Sequence, residues 1–89
     1  MKVTFTNKYE KQFDRLTDVK LRKQIIAAVK TILDAQRIEA IPSIKKLKGF
    51  TNAYRVRSGQ YRIGLIRESD GTILIAAIDS RKDFYRAFP

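Results

Sequence analysis

The spacing of apolar residues changes once along this chain, and that change limits the fold more than any other feature. From Tyr9 to Leu33 apolar side chains recur every three or four residues, whereas from Tyr54 to Ile78 they alternate. Helices first and strands afterwards, segregated in that way, give an α+β domain rather than the repeated βαβ units of a parallel sheet. A single core of ordinary size needs roughly 100 residues. The chain has 89, so residues 1–89 are read as one domain.

Val3 to Thr6 alternates like a short strand, and Asn7 stands where it can cap a helix beginning at Lys8. Tyr9, Phe13 and Leu16 share one face of that helix, which the spacing predicts to run for about three turns. Thr17-Asp18 interrupts the pattern and offers a new N-cap at Asp18. Leu21, Ile25, Ala28, Val29, Ile32 and Leu33 then keep helical spacing with no Gly or Pro among them. So short a break folds the two helices back as an antiparallel hairpin. Pro42 stops any helix at or before Ile41, and Lys45 to Phe50 reads as a basic connector with Leu47 tucked inward.

Two alternating runs follow, Tyr54 to Arg57 and Tyr61 to Leu65, with Ser58-Gly59 as a two-residue turn between them. Ser69-Asp70-Gly71 turns the chain again into Ile73 to Ile78, apolar on both faces as a covered central strand must be. Asp79 or Ser80 then caps a last helix from Arg81 to Ala87. The predicted architecture is β-α-α-β-β-β plus a short C-terminal helix. The N-terminal strand and helix hairpin pack in two layers on an antiparallel sheet, with the first strand beside the last.

Charge says what such a domain meets. Nineteen Lys and Arg against nine Asp and Glu leave a formal charge of +10, a self-repulsion that a polyanion or an acidic protein relieves. The absence of His and Cys removes the usual zinc ligands, thiol nucleophiles, disulfides and the commonest general base, so no metal or other cofactor is expected. No apolar run approaches the ~20 residues of a membrane span, and the first residues lack the apolar stretch of a secretory signal. A cytoplasmic protein with no membrane partner is the expectation.

The densest charge lies between Lys45 and Arg67, where Lys45, Lys46, Lys48, Arg55, Arg57, Arg62 and Arg67 meet no acidic residue. With Ser58-Gly59 as the turn, Arg57 faces Gln60, Val56 faces Tyr61 and Arg55 faces Arg62, which puts Arg55, Arg57 and Arg62 on one sheet face. Like charges opposed across a strand pair cost up to about 1 kcal/mol. A face that keeps them suits phosphate, which Arg grips with a planar fork. In the tail, Phe84 and Phe88 dock on the core, while Arg81 and Tyr85, four apart, share a helix face near the strand that carries Arg62. An aromatic ring among guanidiniums can stack an unpaired base while the cations hold its phosphates.

These fragments resemble the RelE/ParE superfamily of toxins from toxin–antitoxin pairs: Leu47-Lys48-Gly49, Tyr54-Arg55-Val56-Arg57, Ser58-Gly59-Gln60-Tyr61-Arg62, Asp70-Gly71 and Arg81-Lys82-Asp83-Phe84-Tyr85. The resemblance covers nearly the whole length. It implies, for RelE-like members, an endoribonuclease that cuts mRNA in the ribosomal A site, against 16S rRNA, by attack of a 2′-hydroxyl on the adjacent phosphate. Carried over by motif, Arg62 stabilises the strained phosphate, Arg81 serves the leaving group or transition state, and Tyr85 stacks on or orients the base. Arg55 and Arg57 stand where strand lysines contact the substrate, and Lys45, Lys46 and Lys48 extend the RNA-binding surface. Some RelE relatives have a histidine just before the position of Arg81 and a glutamate in the connector. Here Ser80 and Lys45-Lys46 stand instead, which leaves electrostatic stabilisation as the main catalytic device.

The resemblance also implies a cognate acidic antitoxin, and operator DNA only through the toxin–antitoxin complex. Two alternatives stay open on the sequence: a ParE-like DNA gyrase poison without nuclease activity, and a non-toxic nucleic-acid-binding module of the same fold. The joint presence of Arg62, Arg81 and Tyr85 favours RNA cleavage.

Overall fold

Thr6 ends the first strand, β1 (Val3–Phe5), and starts the first helix, α1 (Asn7–Asp14), with one side chain. Its hydroxyl accepts from the Tyr9 N–H at 3.1 Å and donates to the Ala76 carbonyl at 3.0 Å, joining helix, cap and sheet at one atom. The cap predicted at Asn7 is therefore at Thr6, because Asn7 is already helical while Thr6 is extended. In the computed structural model, which describes all 89 residues, α1 has eight residues, a little over two turns rather than three. Its end is set from outside. Arg22 lies over the Phe13 ring at 4.4 Å and donates from Nη1 to the carbonyls of Phe13 (3.2 Å) and Leu16 (2.8 Å), in the last turn of the helix and just beyond it.

Asp18 caps α2 (Val19–Asp34) as its sequence position predicts, accepting from the Leu21 N–H at 3.2 Å. Ile25, Val29 and Ile32 are buried on one face of this helix. After a short 3-10 turn at Ile38–Ala40, the predicted connector departs from expectation. Ile44–Lys46 forms an edge strand, β2, antiparallel to β3 (Ala53–Ser58), and only Leu47 to Asn52 remains as a connection. Three residues with two lysines carry too little alternation to announce a strand. Leu47 is tucked in as predicted, against a cluster containing Ala53 and Phe84.

The sheet runs β1-β5-β4-β3-β2, with β4 at Tyr61–Arg67 and β5 at Ile73–Ser80. β1 lies beside the last strand, as predicted, and runs parallel to it, while every other pairing is antiparallel. Asp70 closes the β4–β5 connection. Its carboxylate accepts from the Thr72 backbone N–H at 2.9 Å, which holds its pKa below the ordinary 3.8.

Two clusters sit on opposite faces of the sheet. Ile25, Val29 and Ile32 of α2 and Tyr9 of α1 pack against Tyr54, Val56, Ile63, Leu65, Ile73, Ile75 and Ile78. On the other face α3 (Arg81–Ala87) lays Phe84 and, just past its end, Phe88 against Ala53 and Ala77. A helix of seven residues does not persist alone. Burying two phenylalanines, each contributing about 1.5–3 kcal/mol, holds it down. Gly64 makes room for this docking, since a Cβ there would lie 2.8 Å from Phe88 ring carbons. Beside it Ala76 falls out of register as a bulge, between the pairs Gly64↔Ala77 and Leu65↔Ile75. No helix is long and apolar enough to cross a membrane.

Candidate functional site

The β3–β4 hairpin closes one residue later than its sequence suggests. Ser58 pairs with Tyr61, so Gly59-Gln60 is the turn, and Gly59 takes the positive φ of 58° that the first central position of such a turn demands. The slip changes partners but preserves the face. Arg57, not Arg55, stands opposite Arg62, while Arg55 stands opposite Gly64. Because directly paired residues project to the same side, Arg55, Arg57 and Arg62 still share one face. Lys45, paired with Arg55, joins them.

That face is the one α3 half covers. Lys46 pairs with Tyr54, a residue of the helix-side core, and so projects to the opposite face. Lys48 lies in the connection beyond β2 and is exposed. Arg67 is at the far end of β4, engaged with the Tyr54 ring at 5.6 Å and with Glu39 at 4.0 Å.

Arg62 is the unusual member. It is only 7% exposed, and its Nη1 donates to the carbonyls of Gly59 and Tyr61, both at 3.0 Å. Its buried Nε has no hydrogen-bond partner. Asp79 stands opposite it in β5, yet the two ion pairs of the molecule are Arg67–Glu39 and Arg86–Asp83, and the Asp79 carboxylate accepts instead from the Ser80 N–H at 2.8 Å. A buried guanidinium facing a second one, with a donor left unpaired and no carboxylate bound, is a costly arrangement for folding alone.

Beside it, Ser43, Ile44, Lys45, Arg55 and Arg57 line an open cavity of about 300 Å³ that contains three cationic side chains and no acid. Ser43 is the wall residue that sequence reasoning missed. Its φ of 61° turns the chain after Pro42 so that its carbonyl accepts from the Arg57 N–H (3.2 Å) and from Arg55 Nη1 (3.4 Å). Pro42-Ser43 signals a turn in the sequence, but nothing there tells where its carbonyl points.

The tail completes the arrangement. The Arg81 N–H donates to the Gln60 carbonyl at 2.6 Å, which ties the start of α3 to the turn carrying Arg62. Ser80 is the N-cap of α3: its hydroxyl accepts from the Asp83 N–H (3.3 Å) and donates to the Asp83 carboxylate (3.2 Å). Arg81 is exposed, and Tyr85 is 53% exposed, its ring edge-on to Phe84 at 5.1 Å. A ring fixed on one edge and open to solvent is a platform on which a base can stack.

No protein-family model matches the chain. Toxin RelE3 of Methanocaldococcus jannaschii is 33% identical to it over 90 residues, covering all of both chains. Among solved structures, the RelB-RelE antitoxin-toxin complex from Methanococcus jannaschii superposes with a TM-score of 0.74 at 30% identity, over 96% of this chain and 98% of that one. The isolated RelE toxin of E. coli, 21% identical, shares the fold at a TM-score of 0.67 over 89% of this chain and 82% of that one. Full-length identity at this level, on a sheet that carries the arginines and tail anticipated from the family motifs, means that the chain belongs to the RelE family of toxins.

Proposed function

We propose that this protein is a ribosome-dependent endoribonuclease that cleaves mRNA in the A site. The observation that carries the reading is Arg62, buried opposite Arg57 with an unpaired Nε and no carboxylate bound. A phosphate supplies the acceptor that the fold leaves out, reached by rotation about the last bonds of the side chain. In the reaction the 2′-oxygen bonds to the adjacent phosphorus as its proton passes to water, and the bond from phosphorus to the 5′-oxygen breaks as that oxygen takes up a proton from water. Arg62 offsets charge that builds on the phosphorane oxygens, and Arg81, tied to the same turn, offsets charge on the departing oxygen. Arg55, Arg57 and Lys45 hold neighbouring phosphates, and Tyr85 stacks a base. Arginines are poor proton carriers near neutral pH, so alignment by the ribosome supplies much of the rate and naked RNA is cut feebly. The site of action is then the cytoplasm.

The partner that restrains it is an antitoxin, as the RelB-RelE complex of Methanococcus jannaschii suggests. A groove of about 470 Å³ between α1 and α2, lined by Phe5, Tyr9, Phe13, Ile26, Val29 and Leu33, leaves large apolar groups in water on a +10 body. An amphipathic helix with acidic flanks suits it.

Primer extension on a translated message after induction tests the activity. New 5′ ends inside the reading frame are expected with the wild type, with a loss of about 10²–10³-fold for Arg81→Ala and a smaller loss for Tyr85→Phe. Growth arrest by all three with messages intact refutes cleavage, and double-strand DNA breaks in those cells would mark gyrase as the target.

A further inference from the structure

Four consecutive carbonyls at the β3–β4 turn are taken by donors from three elements. Gly59 and Tyr61 accept from Arg62 Nη1 of β4, and Gln60 accepts from the Arg81 N–H at the start of α3. The fourth, Ser58, accepts at 2.8 Å from Gln24 Nε2, which reaches from α2 and also donates to the Ser58 hydroxyl at 3.2 Å. Gln24 is thus the one donor among them that the proposed catalytic arginines do not provide. It lies close on the turn: a Cβ at Gly59 would sit 2.6 Å from its Nε2. The peptide that turns the hairpin is held between an amide on the helix side and two arginines on the site side.

We infer that Gln24 is a positioning residue for cleavage, fixing the turn whose carbonyls aim Arg62 and tether Arg81. The inference rests on the roles given to those arginines above. Gln24 itself is exposed, and α2 is anchored by Ile25, Val29 and Ile32. Losing one hydrogen bond from such a side chain therefore leaves the fold standing. A reacting group displaced by about 1 Å, by contrast, loses as much as 10²-fold in rate. That difference separates positioning from simple support.

The test uses the full chain with two readouts: the Arg62 Nε–Hε resonance in ¹H–¹⁵N spectra, and cleavage kinetics on programmed ribosomes. In Gln24→Ala the Arg62 resonance should shift and broaden, and kcat should fall about tenfold with KM for the ribosome unchanged. Gln24→Lys, which restores a donor, should recover most of both. Thr31→Ala, which removes only a hydroxyl bonded to the Ala27 carbonyl within α2, should match the wild type in each. An unmoved Arg62 resonance in Gln24→Ala, or an equal loss in Thr31→Ala, overturns the inference. A resonance that moves in a protein whose wild type leaves messages intact upholds the hold of Gln24 on Arg62 but defeats the nuclease reading, and with it the role in cleavage.

Discussion

Replacing Arg62 by methionine should make the protein more stable while abolishing its activity. The guanidinium is 7% exposed, its Nε is unpaired, and Arg57 stands directly opposite. A buried donor without an acceptor costs about 1–3 kcal/mol, while the like charge of Arg57 on one side and the opposite charge of Asp79 on the other, each worth up to about 1 kcal/mol across a strand pair, largely cancel. Against these stand the two hydrogen bonds from Nη1 to the carbonyls of Gly59 and Tyr61. Gly59 is exposed at the hairpin end, where water can replace the donor, so losing both bonds costs about 1.5 kcal/mol. Methionine keeps the apolar stem and fills much of the same space. The net is a gain of about 0.5 kcal/mol, which for a domain this small raises Tm by roughly 2–4 °C. Thermal melts followed by circular dichroism measure it directly. Added phosphate should raise the wild-type Tm more than that of Arg62→Met, because only the wild type offers the anion this guanidinium. If Arg62→Met melts several degrees below the wild type, the guanidinium is a strut of the hairpin, and the case for a residue kept at a folding cost for its ligand collapses.

Other perturbations probe other parts of the molecule. Burial pushes the Tyr9 phenol from its ordinary 10.0 up to about 12; a raised folded-state pKa means that this stability is intact below pH 10 and is lost as pH rises toward 12, so Tyr9→Phe should flatten the alkaline limb of a Tm-against-pH curve. Gly64→Ala drives a methyl into the Phe88 ring and should cost about 1–3 kcal/mol, much less in a Phe88→Ala background, as urea melts of the four proteins in that cycle will show. Deleting Tyr85 to Pro89 removes Phe88 from the smaller cluster and leaves the larger one intact. Hydrogen exchange should then find α2 and β4 still protected while cleavage is lost.

Much of this was legible because periodicity reports burial. The helix hairpin, the Asp18 cap, the place of the first strand beside the last and the docking of Phe84 and Phe88 all follow from where apolar residues recur and where the pattern breaks. The parallel direction of β1 against β5 does not. What escaped the sequence is set by single contacts between distant segments. Ser58-Gly59 and Gly59-Gln60 are both chemically acceptable turns, and the choice belongs to the pairing of Ser58 with Tyr61. Thr6 rather than Asn7 caps α1 because Ala76, far along the chain, offers its hydroxyl a carbonyl. β2 exists because β3 gives it a partner, not because Ile44 to Lys46 favours a strand. In the site, Arg55, Arg57 and Arg62 are gathered on one face by alternation alone, and Lys45 joins them only through the pairing of β2 with β3. The placement of Lys46 on the other face depends on the unrecognised strand, and the roles of Ser43 and Gln24 depend on carbonyl directions, which leave no mark in side-chain pattern.

The alternation of β3 has a consequence for how such a chain changes over time. Tyr54, Val56 and Ser58 look toward α1 and α2, while Ala53, Arg55 and Arg57 look toward the face that α3 half covers. If Arg55 and Arg57 hold phosphates as proposed above, a substitution at 55 or 57 alters what the protein grips without disturbing the larger core, and a substitution at 54 or 56 does the reverse. Selection for a new target can work on the outward set almost independently of selection for stability. One scaffold of this kind can then diversify in its targets through a few exposed cations while its interior drifts under a separate constraint.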